Sequence, residues 1–215
     1  FWFIHEEVLD EKLLGYCRDN QIKIKPYEEI YSYAEQIPAG ETVLLDKNIV
    51  NYRIFHNLND NVKVVQDANP TELMKAVKNE TELSNIRNAH VKDGVAFTKF
   101  MYWLKTKIGK EKITEISASD YLEQRRREQE LFVDLSFDTI SAYGANAAMM
   151  HYTATPETDA ELKPEGFLLV DSGGHYLEGS TDITRTMALG ALTEEEKFHF
   201  TTVCRSNLNL AAAKF

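Results

Sequence analysis

The segment from Phe167 to Thr186 constrains the fold and the chemistry of this chain more than any other stretch. Four apolar residues lead into Asp171, a glycine-rich turn follows, and Asp182 opens a second strand-like run. If the two strands form a hairpin with the aspartates directly opposite each other, its turn is centred on Tyr176 and Leu177. Opposed residues share one face of a hairpin, with Cβ atoms about 4.5–5.5 Å apart. The pattern therefore predicts two carboxylates held close together on a single face.

Two carboxylates at this separation need compensation, because like charges repel and a buried unpaired charge is costly. A shared proton, the Arg185 side chain or a divalent metal could each provide it. Arg185 lies three residues after Asp182, so strand alternation directs it to the opposite face. Oxygen ligands suit ions such as manganese, and two ions can share a carboxylate. From the residues alone, a metal site, a proton-sharing pair and a solvent-facing hairpin all remain open.

The composition argues against several other classes of function. Lys and Arg number 24 against 34 Asp and Glu, which gives a formal charge of −10 and predicts neither a nucleic-acid nor an anionic-membrane partner. No run approaches the ~18 apolar residues of a membrane span. Cys17 and Cys204 lie far apart in no zinc-like spacing, which favours reduced thiols and a cytoplasmic location.

The remaining patterns predict an α+β fold in two parts. Residues 1–66 alternate between helical and strand-like runs, as in an α/β accessory domain, and residues 67–80 form a joint. A long helix from about 80 to 107 is expected, with a capping box at its start formed by Asn79 and Glu82. A second helix is expected from Thr114 to about Val133. The arginine run at 125–127 within it is typical of a solvated helix face.

Several segments together resemble the pita-bread metallopeptidases. Asp171–Tyr176 followed by Thr181–Thr186 is similar to the metal-binding hairpin of that family, and Ile86–Ala96 resembles the opening helix of its catalytic domain. His151-Tyr152, together with Thr155–Glu157, resembles the loop that brings a histidine over the active site. Within the family, the similarity is to aminopeptidase P of the cytosolic three-domain type.

The resemblance implies a fold for each part of the chain. Residues 67–215 would be the N-terminal half of a pita-bread catalytic domain. Residues 1–66 would be the C-terminal part of a non-catalytic, creatinase-like α/β domain. The apolar start at Phe1 and the helical pattern that runs to Phe215 are expected for a fragment of a longer protein.

The resemblance also implies roles for individual residues. Asp171 and Asp182 would be the first two of five ligands to two divalent metal ions, expected to be manganese, with a histidine and two glutamates beyond Phe215. His151 would contact the substrate and stabilise the tetrahedral intermediate. His175 and His90 are expected to be a turn residue and a structural helix residue, respectively.

The implied activity is release of the N-terminal residue from peptides with proline at the second position. The fragment itself is expected to be inactive, and the full-length protein is expected to be a cytoplasmic homodimer. Two alternatives stay open: a prolidase-type dipeptidase, and a non-catalytic pita-bread module that binds peptides.

Overall fold

The computed structural model describes residues 1–214 and divides the chain into two compact units. The first unit is Phe1–Val77 and the second begins at Lys78, so the division falls within the joint expected at residues 67–80. The first unit contains strands β1 (Trp2–Ile4), β2 (Ile24–Pro26), β3 (Thr42–Leu45) and β4 (Lys63–Gln66), and helices α1 (Glu11–Asp19), α2 (Glu29–Glu35), α3 (Tyr52–His56) and α4 (Pro70–Ala76).

The second unit continues with helices α5 (Glu80–Lys107), α6 (Glu115–Arg127) and α7 (Glu194–Ala211), and with strands β5 (Phe132–Leu135), β6 (Ile140–Tyr143), β7 (Phe167–Ser172), β8 (Gly174–Tyr176), β9 (Gly179–Ser180) and β10 (Ile183–Ala188). The expected α+β class is confirmed by this mixture of helices and strands.

The first unit has the α/β character that its alternating pattern predicts. Strands β1 and β2 pair in parallel, as do β3 and β4, with helices in the connections. Its small core includes Cys17, Ala34, Leu45 and Val62, which come from both helices and strands. The first unit therefore has a small hydrophobic core of its own.

Helix α5 is the main support of the second unit. The Asn79 side chain accepts from the backbone N–H of Glu82, and the Glu82 carboxylate accepts from the backbone N–H of Asn79, so the predicted capping box is confirmed. Its buried face consists of residues at helical spacing: Ala89, Asp93, Ala96, Phe97, Phe100 and Leu104. This face packs against α6 and the strands in one hydrophobic core.

Helix α6 ends at Arg127, so the prediction that it extends to about Val133 is wrong. Leu131, four residues after the helix ends, adopts a positive φ of 64° that a helix cannot contain, and Phe132 begins strand β5. The Phe132 ring packs edge-on against Tyr176, 5.6 Å between centroids, while β5 pairs with β8. Long-range strand pairing therefore overrides the local helical pattern.

Two antiparallel sheets complete the second unit. One has the strand order β10-β7-β6 and the other β5-β8-β9. Strands β7 and β8 follow each other directly and belong to different sheets, as do β9 and β10. Among residues 1–214, no helix is both long enough and apolar enough to span a bilayer.

Candidate active site

Strands β7 to β10 form one long hairpin that carries both predicted aspartates. Where β7 pairs with β10, Asp171 lies opposite Thr184. Nearer the turn, where β8 pairs with β9, His175 lies opposite Ser180. The turn is therefore centred on Leu177 and Glu178, and the register differs by two residues from the one predicted. The expectation that the aspartates face each other directly is wrong. Continuing the observed register places Asp182 opposite Gly173, diagonal to Asp171.

The diagonal register predicts that both carboxylates lie on one face of the hairpin, although Asp182 itself stands one residue before β10. Asp182 precedes Thr184 by two residues, and residues two apart in an extended strand point to the same side. Diagonal neighbours on one face are roughly 7–8 Å apart, farther than a directly opposed pair. We therefore expect the two carboxylates to share a face with space between them.

Neither aspartate has its charge compensated by a cationic side chain. Asp171 is half-buried, and its Oδ1 accepts a hydrogen bond from the Thr184 hydroxyl at 2.7 Å. Asp182 is exposed. The Arg185 guanidinium donates to the carbonyl oxygen of Thr184, and within residues 1–214 neither aspartate takes part in an ion pair. Two carboxylates with free oxygens on one face are suitable ligands for a hard divalent cation.

Gly173 allows the hairpin to cross from one sheet to the other between the two aspartates. A Cβ atom at this position would collide with the carbonyl oxygen of Thr181 and the hydroxyl of Ser136. That hydroxyl donates to the same carbonyl at 2.9 Å, and the backbone N–H of Ser136 donates to the carbonyl of Gly173 at 3.2 Å. The close backbone approach therefore requires glycine.

A buried ion pair lies behind the strand that carries Asp171. Arg126 donates to both carboxylate oxygens of Asp93, at 2.7 and 3.1 Å, and to the Ser172 hydroxyl at 3.0 Å. The Tyr176 hydroxyl donates to the same Asp93 at 3.1 Å. Burial, reinforced by the negative charge of Asp93, raises the pKa of Tyr176 well above its ordinary value. This cluster joins α5, α6 and the hairpin at the residue next to Asp171.

The buried position of Arg126 contradicts the expectation that the whole arginine run is solvated. Its side chain is fully buried, although Arg125 and Arg127 form ion pairs near the surface. The signal was present in the sequence, because Arg126 follows the buried Ala118 and Leu122 at intervals of four. A helix face that includes an arginine can be buried when another helix supplies an acid.

A second buried carboxylate, Glu115, organises the segment that carries His151. Glu115 is fully buried and accepts hydrogen bonds from the backbone N–H groups of Tyr143 and Ala160 and from the side chains of Asn146 and Tyr152. Burial raises the pKa of the Tyr152 hydroxyl above its usual range. Sequence reasoning missed Glu115, because a glutamate in the first turn of a helix usually faces solvent.

His151 lies beside this anchored tyrosine and is itself exposed. Its φ of 54° lies in the left-handed region, which non-glycine residues adopt infrequently but histidine more often than most. The imidazole is therefore presented on the surface by a sharply turned backbone.

Two other histidines have local roles, and His175 lies within strand β8, so the expectation that it is a turn residue is wrong. The Nδ1 of His175 lies 2.6 Å from the Ser180 hydroxyl across the β8–β9 pair, and the Nδ1 of His90 lies 2.8 Å from the carbonyl oxygen of Ile86. No group of three or more His, Cys, Asp or Glu residues suited to a metal is present in the part of the chain that the structure describes.

Comparison with known proteins places these features in a family. A model of the Creatinase/Prolidase N-terminal domain matches residues 1–82, and a model of Metallopeptidase family M24 matches residues 84–215. The probable Xaa-Pro aminopeptidase P of Sclerotinia sclerotiorum is 37% identical over 222 aligned positions, which cover 99% of this chain and 37% of that protein. The chain thus spans well under half the length of this curated relative.

Solved structures agree in fold. The X-prolyl aminopeptidase of Caenorhabditis elegans, described as a cytosolic enzyme with a di-nuclear active site, matches with a TM-score of 0.87 and 34% identity, over 99% of this chain and 36% of that one. The Xaa-Pro dipeptidase of Bacillus anthracis matches with a TM-score of 0.68 and 20% identity, over 93% of this chain and 56% of that one, which supports the fold alone. Because the M24 model covers more than half of its residues, the chain belongs to Metallopeptidase family M24.

Proposed function

We propose that this chain is part of a metal-dependent aminopeptidase that releases the N-terminal residue from peptides with proline at the second position. The observation that carries the proposal is that Asp171 and Asp182 lie on the two arms of one hairpin, without an ion pair among residues 1–214, in a chain of a metallopeptidase family. Relatives named Xaa-Pro aminopeptidase P supply the substrate class.

The residues present fit a divalent metal centre, in part. Asp171 uses one oxygen for the Thr184 hydroxyl and keeps the other free, while Asp182 is open to solvent. The di-nuclear site of the C. elegans enzyme supports two ions, and the oxygen-rich ligands suit manganese. The remaining ligands, a histidine and two glutamates, would come from beyond Phe215. When bound, such ions supply an activated water as nucleophile near neutral pH.

His151 is assigned to the substrate side of the reaction. An exposed imidazole can donate a hydrogen bond to the carbonyl oxygen of the scissile bond as negative charge develops there. The bond before a proline is a tertiary amide without an N–H. As in any amide hydrolysis, its leaving nitrogen must take up a proton, which the attacking water can supply. Asp171 and Asp182 hold the metal, and His151 stabilises the oxyanion.

The two segments predicted from the sequence, divided between residues 66 and 67, have different parts in this proposal. Residues 1–66 are the end of a non-catalytic creatinase-like domain, and residues 67–215 are the N-terminal half of the catalytic domain. With two ligands of five, the chain by itself is expected to bind metal weakly and to be inactive, because affinity depends on the number of ligands. The full-length protein is proposed to be a homodimer in the cytoplasm.

Two other functions are compatible with the same hairpin. A prolidase would cleave only dipeptides that end in proline, and a Xaa-Pro dipeptidase shares the fold. A non-catalytic peptide-binding module would not need the paired aspartates, and both are present here. The aminopeptidase is favoured because relatives with that name align along almost the whole chain.

Hydrolysis assays on the full-length protein separate these three functions. We expect cleavage of a tripeptide with proline at position two, little cleavage of the same tripeptide with alanine there, loss of activity after chelation and recovery with Mn²⁺. Cleavage restricted to dipeptides would assign a prolidase. Peptide binding without hydrolysis in the presence of Mn²⁺ would assign a binding module, and activity that survives exhaustive chelation would contradict a metal mechanism.

A further inference from the structure

The loop that carries His151 has few apolar contacts to hold it in place. Met149 and Met150 are 51% and 87% exposed, and His151 itself is exposed. The next residue, Tyr152, is 6% exposed. Any order in this loop must therefore come from the points at which it enters the protein interior.

Those points converge on the carboxylate of Glu115. One oxygen accepts from the backbone N–H of Tyr143 at 2.7 Å, and the other accepts from the Tyr152 hydroxyl at 2.8 Å and from the backbone N–H of Ala160 at 3.1 Å. The Asn146 amide lies 3.1 Å from each oxygen. The four donors come from both sides of His151 in the sequence.

The position of Glu115 in the first turn of α6 suits this role. A carboxylate at a helix N-terminus is stabilised by the helix dipole. The neutral donors around Glu115 add hydrogen bonds to this stabilisation of the buried carboxylate. The backbone N–H of Glu115 also donates to the carbonyl of Ala160 at 3.1 Å, and the backbone N–H of Ile116 donates to the Asp159 carboxylate at 3.0 Å. The end of the loop is thereby fastened to the start of the helix.

We infer that Glu115 is a positioning residue for catalysis, which acts through the Tyr152 hydroxyl and the Asn146 amide to hold His151 in its strained backbone conformation over the active site. The role of His151 in this statement rests on the proposed function. The anchoring itself does not depend on the proposed function: it rests on the hydrogen bonds to Glu115, and the Tyr152 hydroxyl and Asn146 amide also bond to each other and to Thr158. A left-handed φ at a non-glycine residue persists only where neighbouring contacts enforce it, and Tyr152 is the nearest such contact.

The test is a double-mutant cycle in the full-length, metal-loaded enzyme, with Tyr152→Phe, His151→Ala and the combination. Tyr152→Phe removes one hydroxyl and keeps the buried ring, so the fold should survive. We expect kcat to fall about 10- to 100-fold, as misplacement of a catalytic group by about 1 Å can do. In the His151→Ala background the same change should have almost no effect, since the group it positions is already absent.

Tyr176→Phe is the matched control. Tyr176 is also buried, at 5% exposure, and its hydroxyl also donates to a buried carboxylate, that of Asp93. Tyr176→Phe should change kcat by the same factor in the wild-type background and in the His151→Ala background, whatever the size of that factor. If Tyr152→Phe also lowers kcat by the same factor in both backgrounds, the positioning role is overturned.

Hydrogen exchange gives a second readout that does not depend on activity. The amides of residues 146–154 should exchange at least severalfold faster in Tyr152→Phe than in the wild type, while those in the middle of α5 stay unchanged. Unchanged exchange in the loop would overturn the anchoring. If the wild type fails to cleave Xaa-Pro peptides, the proposed function fails, and hydrogen exchange alone decides whether the Tyr152 hydroxyl and its partners hold the loop.

Discussion

At the scale of single residues, the second unit contains two buried carboxylates that are satisfied in different ways. Asp93 pairs with the guanidinium of Arg126 and also accepts from Tyr176, whereas Glu115 is surrounded by neutral donors. Losing one partner of the buried ion pair would leave the other charge uncompensated, at a typical cost of about 3–5 kcal/mol. Each carboxylate supports a different segment: Asp93 supports the strand that carries Asp171, and Glu115 supports the loop that carries His151.

The buried phenol of Tyr176 predicts a loss of stability at alkaline pH. Its folded pKa lies above the ordinary value of 10.0, so the unfolded chain loses this proton first as the pH rises. The stabilisation is fully present below about pH 10 and declines above it, with a slope of at most about 1.4 kcal/mol per pH unit for one phenol. Tyr176→Phe should therefore flatten the fall in the free energy of unfolding between pH 9.5 and 11.

Denaturant unfolding at each pH measures this effect. Tyr102→Phe is the control, because Tyr102 is 73% exposed and should leave the pH dependence as it is in the wild type. Identical slopes for the wild type and Tyr176→Phe would show that burial does not suppress ionisation of this phenol.

The proposed role of His151 predicts a catalytic defect without loss of metal. In the full-length enzyme, His151→Ala should lower kcat by about 10²–10³, the typical cost of removing an oxyanion donor. Bound metal should stay unchanged, because His151 is not assigned as a ligand. His90→Ala is the matched control, since that histidine is exposed and interacts within its own helix.

Steady-state kinetics and metal analysis of the same preparations check this prediction. Loss of metal in His151→Ala would make the histidine a ligand and overturn the assignment. A kcat equal to that of the wild type would remove it from the mechanism.

Candidate site residues could be predicted from the sequence where residue type and local pattern identify them. They could not be predicted where their role depends on hydrogen-bond partners distant in the chain. Asp171 and Asp182 stand out because one follows a strand-like run, the other begins the next run, and the turn between them is rich in glycine. Glu115 and Asp93 do not stand out, because a single acid on a helix is normally solvated. Their significance depends on donors such as Tyr152 and Arg126, which are at least 33 positions away in the chain.

At the scale of secondary-structure elements, the predictions that succeeded rest on local chemistry. The capping box at Asn79 marks the start of α5, because side chain and backbone groups three residues apart satisfy each other. The predictions that failed depend on long-range pairing. The end of α6 is set by the pairing of β5 with β8, and the hairpin register is set by the β8–β9 tip and by β6.

The crossing of the hairpin between two sheets predicts a strong effect of Gly173→Ala. The new methyl group would meet backbone and side-chain atoms of Thr181 and Ser136, so we expect destabilisation of about 1–3 kcal/mol or more. Gly94→Ala is the matched control in α5. A Cβ there would meet no heavy atom within 4 Å, and we expect stabilisation of about 0.5–1 kcal/mol.

Denaturant unfolding followed by the fluorescence of Trp103 measures both changes. A Trp2→Phe background makes Trp103, on α5 in the second unit, the reporter. Equal stability of Gly173→Ala and the wild type would mean that the strands can separate at this crossing without cost.

At the scale of the whole molecule, the structure contains a well-packed core together with surfaces that the described residues leave open. The core joins α5, α6 and the β10-β7-β6 sheet. Helix α7 instead exposes Phe198, Val203, Leu208 and Leu210, each about two-thirds exposed. The overall class was predictable because hydrophobic periodicity determines it. The pairing of strands into two sheets was not, because residues far apart in sequence determine it.

The proposed function depends above all on Asp171 and Asp182 as ligands of divalent metal. Elemental analysis of the full-length protein after dialysis against Mn²⁺ tests it directly. Asp171→Asn and Asp182→Asn keep the shape of the side chain and remove its charge. Asp134→Asn is the control, with a side chain that is 71% exposed and outside the site. We predict about two ions per chain in the wild type and in the control, with a loss of at least one in each site variant. Full metal content in the Asp171→Asn/Asp182→Asn double variant would contradict the claim.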